Sequence, residues 1–320
     1  MRPTETPILH PLLASEHRAG ASGKLELSTT IAASRFLVSP QDAHDACGTG
    51  FVAESSGKRT RRVVEMAVHA VDALTHRGAV NADPLTGDGT GVTIQIPYEL
   101  LQDDLARMDA DVITDDLAVA MVFLPHEEDA RPAARAVLEE ECGRVGIGVI
   151  GWREVPTDQT LLGPQALESV PGFEQLLLQR PHDQQGPQFD RSLYLARRRA
   201  ERRFNEADLD CYVVSMSSQT VVYKGMMVAS RLAGFYPDLA DERVVSSVAI
   251  YHQRFATNTL PSWELAQPFR MTAHNGEFNT LLGNRNWMLA REPELASPVW
   301  DEDVKDLAPV IQPIGSDTAS

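Results

Sequence analysis

The spacing of apolar positions divides the chain into short strands and amphipathic helices. Between Arg61 and His76, Val64, Ala67, Val71 and Leu74 recur every three or four residues, which predicts a helix with one buried face. Gly78 is placed to end it. Val92, Ile94 and Ile96 then alternate with Thr93 and Gln95, the pattern of a half-buried strand, and Pro97 stops it. Leu117 to Leu124 is an unbroken apolar run and reads as a strand. The pattern also predicts helices over 98–108 and over 130–144, the second with Pro132 in its first turn. Further strands are expected at 47–53, 147–152, 211–216, 219–224 and 246–252. Residues 156–189 carry Pro156, Pro164, Pro171, Pro181 and Pro187, and read as a surface loop with one strand at 173–179. A basic helix is expected over 193–204, a short one over 226–232, and a last one over 279–291 ended by Pro293. No internal repeat is present, and helices and strands mix without strict alternation. The fold class is therefore α+β, with antiparallel sheets and helices on their outer faces.

Composition narrows the function. The 320 residues are 43% hydrophobic, enough for one large core or two smaller ones. A net charge of −16 argues against nucleic acid and anionic membranes as partners. No apolar run reaches the roughly 18 residues needed to span a bilayer. A cytoplasmic location is expected. Residues 1–46 are polar, broken by Pro3, Pro7, Pro11 and Pro40, and lack the apolar centre of a secretory signal. They read as a disordered leader or propeptide. Without them the net charge is −15, since four Lys/Arg and five Asp/Glu are removed, so the exclusion holds for either form. The three cysteines, Cys47, Cys142 and Cys211, form no Cys-x-x-Cys pair and no disulfide framework. Cys142 and Cys211 lie in helix and strand patterns and are expected to be packing residues.

Cys47 is different. It opens a strand in Asp45-Ala46-Cys47-Gly48-Thr49-Gly50-Phe51-Val52. Far downstream come Arg254, in Gln253-Arg254-Phe255-Ala256-Thr257-Asn258, and the pair Asn275-Gly276. A thiol, a cation able to grip a carboxylate and an Asn-Gly pair suffice to take an amide apart. A cut after Ala46 would give Cys47 its own base, an α-amine with a pKa of roughly 7.7–8.0. Each residue alone has a plainer reading. Cys47 is then an ordinary strand cysteine, Asn275-Gly276 a hairpin turn, and Arg254 a surface ion-pair residue. Thr257 could line a pocket or pack in a strand, and Arg77 could complement a helix dipole. The glycines of Gly87-Asp88-Gly89-Thr90-Gly91 lack phosphate-loop spacing and read as a tight turn. Arg197, Arg198, Arg199, Arg202 and Arg203 read as a solvated helix face or a subunit contact. His69 and His76 are seven apart with no partners for a metal, so no metal site is expected.

Taken together the blocks carry a resemblance. Cys47-Gly48-Thr49-Gly50-Phe51-Val52, His76-Arg77-Gly78-Ala79, Gly87 to Gly91 and Gln95-Ile96-Pro97 resemble the start of glutamate synthase large subunits. His252 to Thr259 with Pro261-Ser262-Trp263, Ala273-His274-Asn275-Gly276-Glu277 with Asn279-Thr280, and Gly315-Ser316-Asp317 resemble the blocks that follow. The resemblance runs from Cys47 to the last residue and implies the glutaminase domain, a class II glutamine amidotransferase. Its implied fold is the N-terminal-nucleophile hydrolase sandwich, two antiparallel sheets between helices. It implies Cys47 as nucleophile on L-glutamine, and Asn275 and Gly276 as the oxyanion hole. Arg254 is implied for the substrate carboxylate, Asp317 for its ammonium, and Thr257 for the pocket wall. It also implies a downstream flavin domain holding FMN and an iron–sulfur cluster, with a small NADPH-oxidising subunit as a further partner. No cofactor is implied for this segment itself.

Two other readings stay open at this stage. One is a free-standing amidotransferase for another acceptor. The blocks at 258–263 and 284–288 favour glutamate synthase over it. The other is an amidotransferase-like module that is never processed, in which Ala46 keeps Cys47 acylated. The final residues, Gly315 to Ser320, close no element, so the domain at 47–320 is expected to be cut short.

Overall fold

A computed structural model describes residues 48–80, 82–253, 260–271, 280–312 and 319. In chain order the main elements are β1 (Thr49–Ala53), α1 (Arg61–Ala73), β2 (Thr90–Gln95), α2 (Tyr98–Arg107), β3 (Leu117–Leu124), α3 (Arg131–Arg144) and β4 (Gly148–Glu154). Then follow α4 (Pro164–Leu167), β5 (Gly172–Gln179), α5 (Pro187–Glu206), β6 (Tyr212–Ser217), β7 (Thr220–Gly225), α6 (Leu232–Phe235), β8 (Val248–His252) and α7 (Leu281–Arg291).

The strands form two four-stranded sheets, ordered β1-β8-β2-β7 and β4-β5-β3-β6. Every pairing in both is antiparallel. The α+β sandwich expected from the sequence is therefore present. Alternation along β3 explains why its apolar run is unbroken. Val119, Met121 and Phe123 enter a core shared with Val92, Ile94, Val222 and Tyr223 of the other sheet. Ala118, Ala120, Val122 and Leu124 meet Val137 and Leu138 of α3, and Phe189, Ala196 and Phe204 of α5. A strand covered on both faces needs apolar residues at every position.

Inside the shared core runs a buried polar chain. Arg153 of β4 donates to Asp104 of α2 at 2.8 Å, to Gln175 of β5 at 3.0 Å, and to both oxygens of Asp238 at 2.7 and 2.8 Å. The Tyr223 hydroxyl of β7 reaches Asp238 at 3.0 Å. The paired groups offset the cost of burying charge, and removing one partner would strand the others.

Several expectations need correction. Helix α1 stops at Ala73, and Thr75–Arg77 forms a separate 3-10 turn. There the Thr75 hydroxyl donates to the Asp72 carbonyl at 2.6 Å, a local bond that competes with the helix ladder. Strand β2 is buried on both faces, not half-buried, because helix α1 and the second sheet pack on the sheet that holds it. Helix α5 begins at Pro187, six residues before the expected start, since proline suits a first helical turn. The expected helix at 226–232 is instead a 3-10 turn at Ala229–Arg231 followed by α6. The arginine cluster on α5 is not simply a solvated face, because its side chains are engaged within the chain. Arg199 and Arg202 bind Asp306, Arg198 donates to the Leu307 carbonyl at 3.2 Å, and Arg203 binds Glu140 and Glu141 of α3. Its work is to tie the 3-10 segment Asp301–Leu307 and α3 to α5. Cys142 is buried, and burial pushes its thiol up to about 12. Burial raises the Cys211 thiol as well, so both are inert packing residues at neutral pH.

Candidate active site

Strands β1 and β8 pair with Thr49 opposite His252. One step further the Gln253 amide donates to the Gly48 carbonyl at 2.9 Å. Gly48 and Gln253 are the last described residues at this end of the pair. Cys47, Arg254 and Thr257 lie just past them, outside the described residues, as do Asn275, Gly276 and Asp317. The described frame thus brings together the chain neighbours of Cys47 and Arg254, at one end of one sheet. It gives no geometry for the six predicted site residues themselves.

Two close approaches shape this end of the sheet. The Gln253 side chain lies over Gly78, where a Cβ would sit 2.1 Å from Nε2. Gly78 follows Arg77 in the 3-10 turn, so the His76-Arg77-Gly78-Ala79 block packs directly beside the residue before Arg254. Gln253 is only 1% exposed, and its Oε1 has no partner among the described residues. The Thr49 hydroxyl is also buried without one. Buried polar atoms are normally satisfied, and these two lie at the end of the β1–β8 pair, next to the chain neighbours of Cys47 and Arg254. Sequence reasoning named neither as a site residue. Both stood inside the quoted motifs, but only the strand register shows them side by side.

The glycine run turns through a bend at Asp88 into β2, so only its first residues form the turn expected and Thr90 and Gly91 are already strand. Gly87 bridges Val80, and the Asp88 amide donates to the Ala79 carbonyl at 3.1 Å. Gly89 has φ +123°, a region that disfavours side chains. Ala266 packs against it, 2.7 Å from where a Cβ would stand. The segment 260–271 therefore lies as a strap on this turn. Trp263 anchors the strap: its Nε1 donates to the Ala166 carbonyl at 3.2 Å, and its ring meets Phe123 and Phe173 edge-on.

The Gly78 contact supplies a stability prediction. Gly78→Ala should cost about 1–3 kcal/mol, the usual range for overpacking, measured by urea denaturation. Adding Gln253→Ala should restore most of that loss. Strictly additive losses would show that the two residues do not touch.

Among the described residues, no three His, Cys, Asp or Glu side chains gather as a metal site. No described helix is long and apolar enough to cross a membrane. Comparison with known proteins gives the frame a context. The sequence profile of the family described as class-II glutamine amidotransferases matches residues 47–320, so the match starts at Cys47 itself. The chain is 44% identical over 283 residues to the glutamate synthase [NADPH] large chain of Azospirillum brasilense, covering 88% of this chain and 19% of that one. It is also 44% identical over 279 residues to ferredoxin-dependent glutamate synthase 2 of Synechocystis, covering 87% of this chain and 18% of the relative. Against the glutamate synthase [NADPH] large chain of Bacillus subtilis it is 38% identical over 284 residues, with coverages of 88% and 19%. The chain thus spans about a fifth of the length of these relatives.

Proposed function

The chain belongs to the class-II glutamine amidotransferases, corresponding to the glutaminase domain of glutamate synthase, and from that premise we propose that it hydrolyses L-glutamine at Cys47. The observation that carries the proposal is the bond from the Gln253 amide to the Gly48 carbonyl. Consecutive Cα atoms are only about 3.8 Å apart, so Cys47 and Arg254 lie within one residue of a shared hydrogen bond.

In this reading hydrolysis of the Ala46–Cys47 peptide bond releases the Cys47 α-amine. Sγ attacks the side-chain carbonyl carbon of glutamine, with the α-amine taking the thiol proton. The Asn275 side-chain amide and the Gly276 N–H hold the oxyanion. The proton passes to the leaving nitrogen, ammonia departs, and a γ-glutamyl thioester remains. Water then attacks the thioester and releases glutamate. Arg254 grips the substrate α-carboxylate with two parallel donors, Asp317 pairs with its α-ammonium, and Thr257 lines the pocket.

The remaining four-fifths of a relative-sized protein would use the ammonia. There a flavin domain would combine it with 2-oxoglutarate and reduce the imine to L-glutamate, in the cytoplasm, with an NADPH-oxidising small subunit as one electron source. FMN and an iron–sulfur cluster belong to that part. Such clusters are held by sets of Cys thiolates. Cys142 and Cys211 are packing residues of separate elements, so this segment does not fit one.

Intact-mass measurement of the purified active protein tests the processing step. The expected chain begins at Cys47. An active protein that keeps residues 1–46 would exclude the α-amine as base. Arg254→Lys should raise the glutamine KM tenfold or more, because one ammonium cannot replace a fork of donors; steady-state glutaminase kinetics read this directly.

A further inference from the structure

We propose that Lys224 is a positioning residue for this glutamine site, holding the strap 260–271 across the end of the first sheet. The register places it there. Lys224 of β7 pairs with Gly91 of β2, Gly91 with His252 of β8, and His252 with Thr49 of β1. Directly paired residues share a face, so these four form one row across all four strands. The row ends at Thr49, two positions from Cys47.

Lys224 is fully buried, an uncommon setting for a lysine. Its Nζ donates to the Glu264 carbonyl of the strap at 2.7 Å. The ammonium also sits 4.8 Å from the ring centre of Tyr212 and 4.6 Å from that of Phe269, a second strap residue. Burial and the neighbouring Arg270 guanidinium push its pKa well below the usual lysine range, with Glu264 pulling the other way. A sandwich core does not need such a residue, since a methionine would fill the space without desolvating an amine. What the lysine adds is a fixed grip on the strap at two points, the Glu264 backbone and the Phe269 ring. Gly91 permits the approach: a Cβ there would lie 2.6 Å from the Lys224 Cβ and 2.8 Å from the Gln267 carbonyl. The strap continues at one end into the segment holding Arg254 and Thr257, and at the other into the segment holding Asn275 and Gly276. A shift of the strap would therefore displace the substrate grip and the oxyanion donors together.

The inference rests on the glutaminase reading. Its test uses the same full-length protein with Lys224→Met, which keeps the volume and removes the donor, and Phe269→Leu, which removes one ring and keeps the lysine. Lys224→Met should raise the glutamine KM about tenfold or more, the scale of a small misplacement, when assayed well below its melting temperature. Phe269→Leu should raise it by a smaller factor in the same direction. A purely structural lysine would lower Tm and leave KM within twofold for both variants, which would overturn the proposal. Wild-type protein and Cys47→Ala are run alongside. Loss of glutaminase in Cys47→Ala with unchanged KM in the Lys224 and Phe269 variants sinks only this inference. Equal glutamine hydrolysis by wild type and Cys47→Ala sinks the functional reading beneath it.

Discussion

Cys47→Ala should eliminate glutamine-dependent activity while leaving ammonia-dependent activity of the complete polypeptide near wild type. The reason is chemical. Alanine offers no atom that can form the thioester, and losing a covalent nucleophile typically costs several orders of magnitude in kcat. Ammonia supplied from solution bypasses the step. Neither remaining cysteine can substitute. Burial pushes the Cys142 thiol up to about 12, and burial raises Cys211 too, so neither supplies a thiolate at neutral pH. Parallel assays with glutamine and with ammonium salts measure the effect. Undiminished use of glutamine by the variant would remove Cys47 from the mechanism.

Asn275→Ala carries the second large effect. A side-chain amide aimed at a developing oxyanion acts in the transition state far more than in the ground state. Its loss should lower kcat for glutamine by about 10²–10³-fold with little change in KM. This separates it from Arg254→Lys, which is expected to act mainly on KM. A variant in which KM rises and kcat stays constant would make Asn275 a binding residue and leave the oxyanion without its side-chain donor.

These two expectations draw on different parts of what the sequence made legible. Local periodicity carried the frame well. The face of α1 was readable because Val64, Ala67 and Val71 recur at helical spacing, and all three are fully buried. The unbroken run of β3 was readable as a strand because it is apolar on both faces. Periodicity failed where a partner decides the outcome. Nothing local to β2 reveals that a helix and a second sheet cover it, so its alternation reads as half-buried. Arg199, Arg202 and Arg203 of α5 look like a solvated face until Asp303, Asp306 and Glu141 arrive from 62 to 104 positions away. The prolines around the start of α5 read as a loop, although Phe189 already continues the spacing of Leu193 and Ala196.

The candidate site divides in the same way. Its chemistry was legible from residue types and motif blocks, and the family match begins at the residue those motifs singled out. The contacts around it were not. Gly78 against Gln253, and Lys224 beneath Glu264, depend on strand register, which a single sequence leaves open. Cys47, Arg254, Thr257, Asn275, Gly276 and Asp317 lie outside the described residues, so their roles stand on the motifs, the family and the frame that leads to them.

One labelling experiment bears most directly on the central idea of a thiol working beside its own free amine. The complete protein is treated with the glutamine analogue 6-diazo-5-oxo-L-norleucine, then analysed by peptide mass mapping. One adduct per chain is expected, on Sγ of a cysteine that is itself the first residue. An adduct on any other side chain, or on a Cys47 still joined to Ala46, would contradict it.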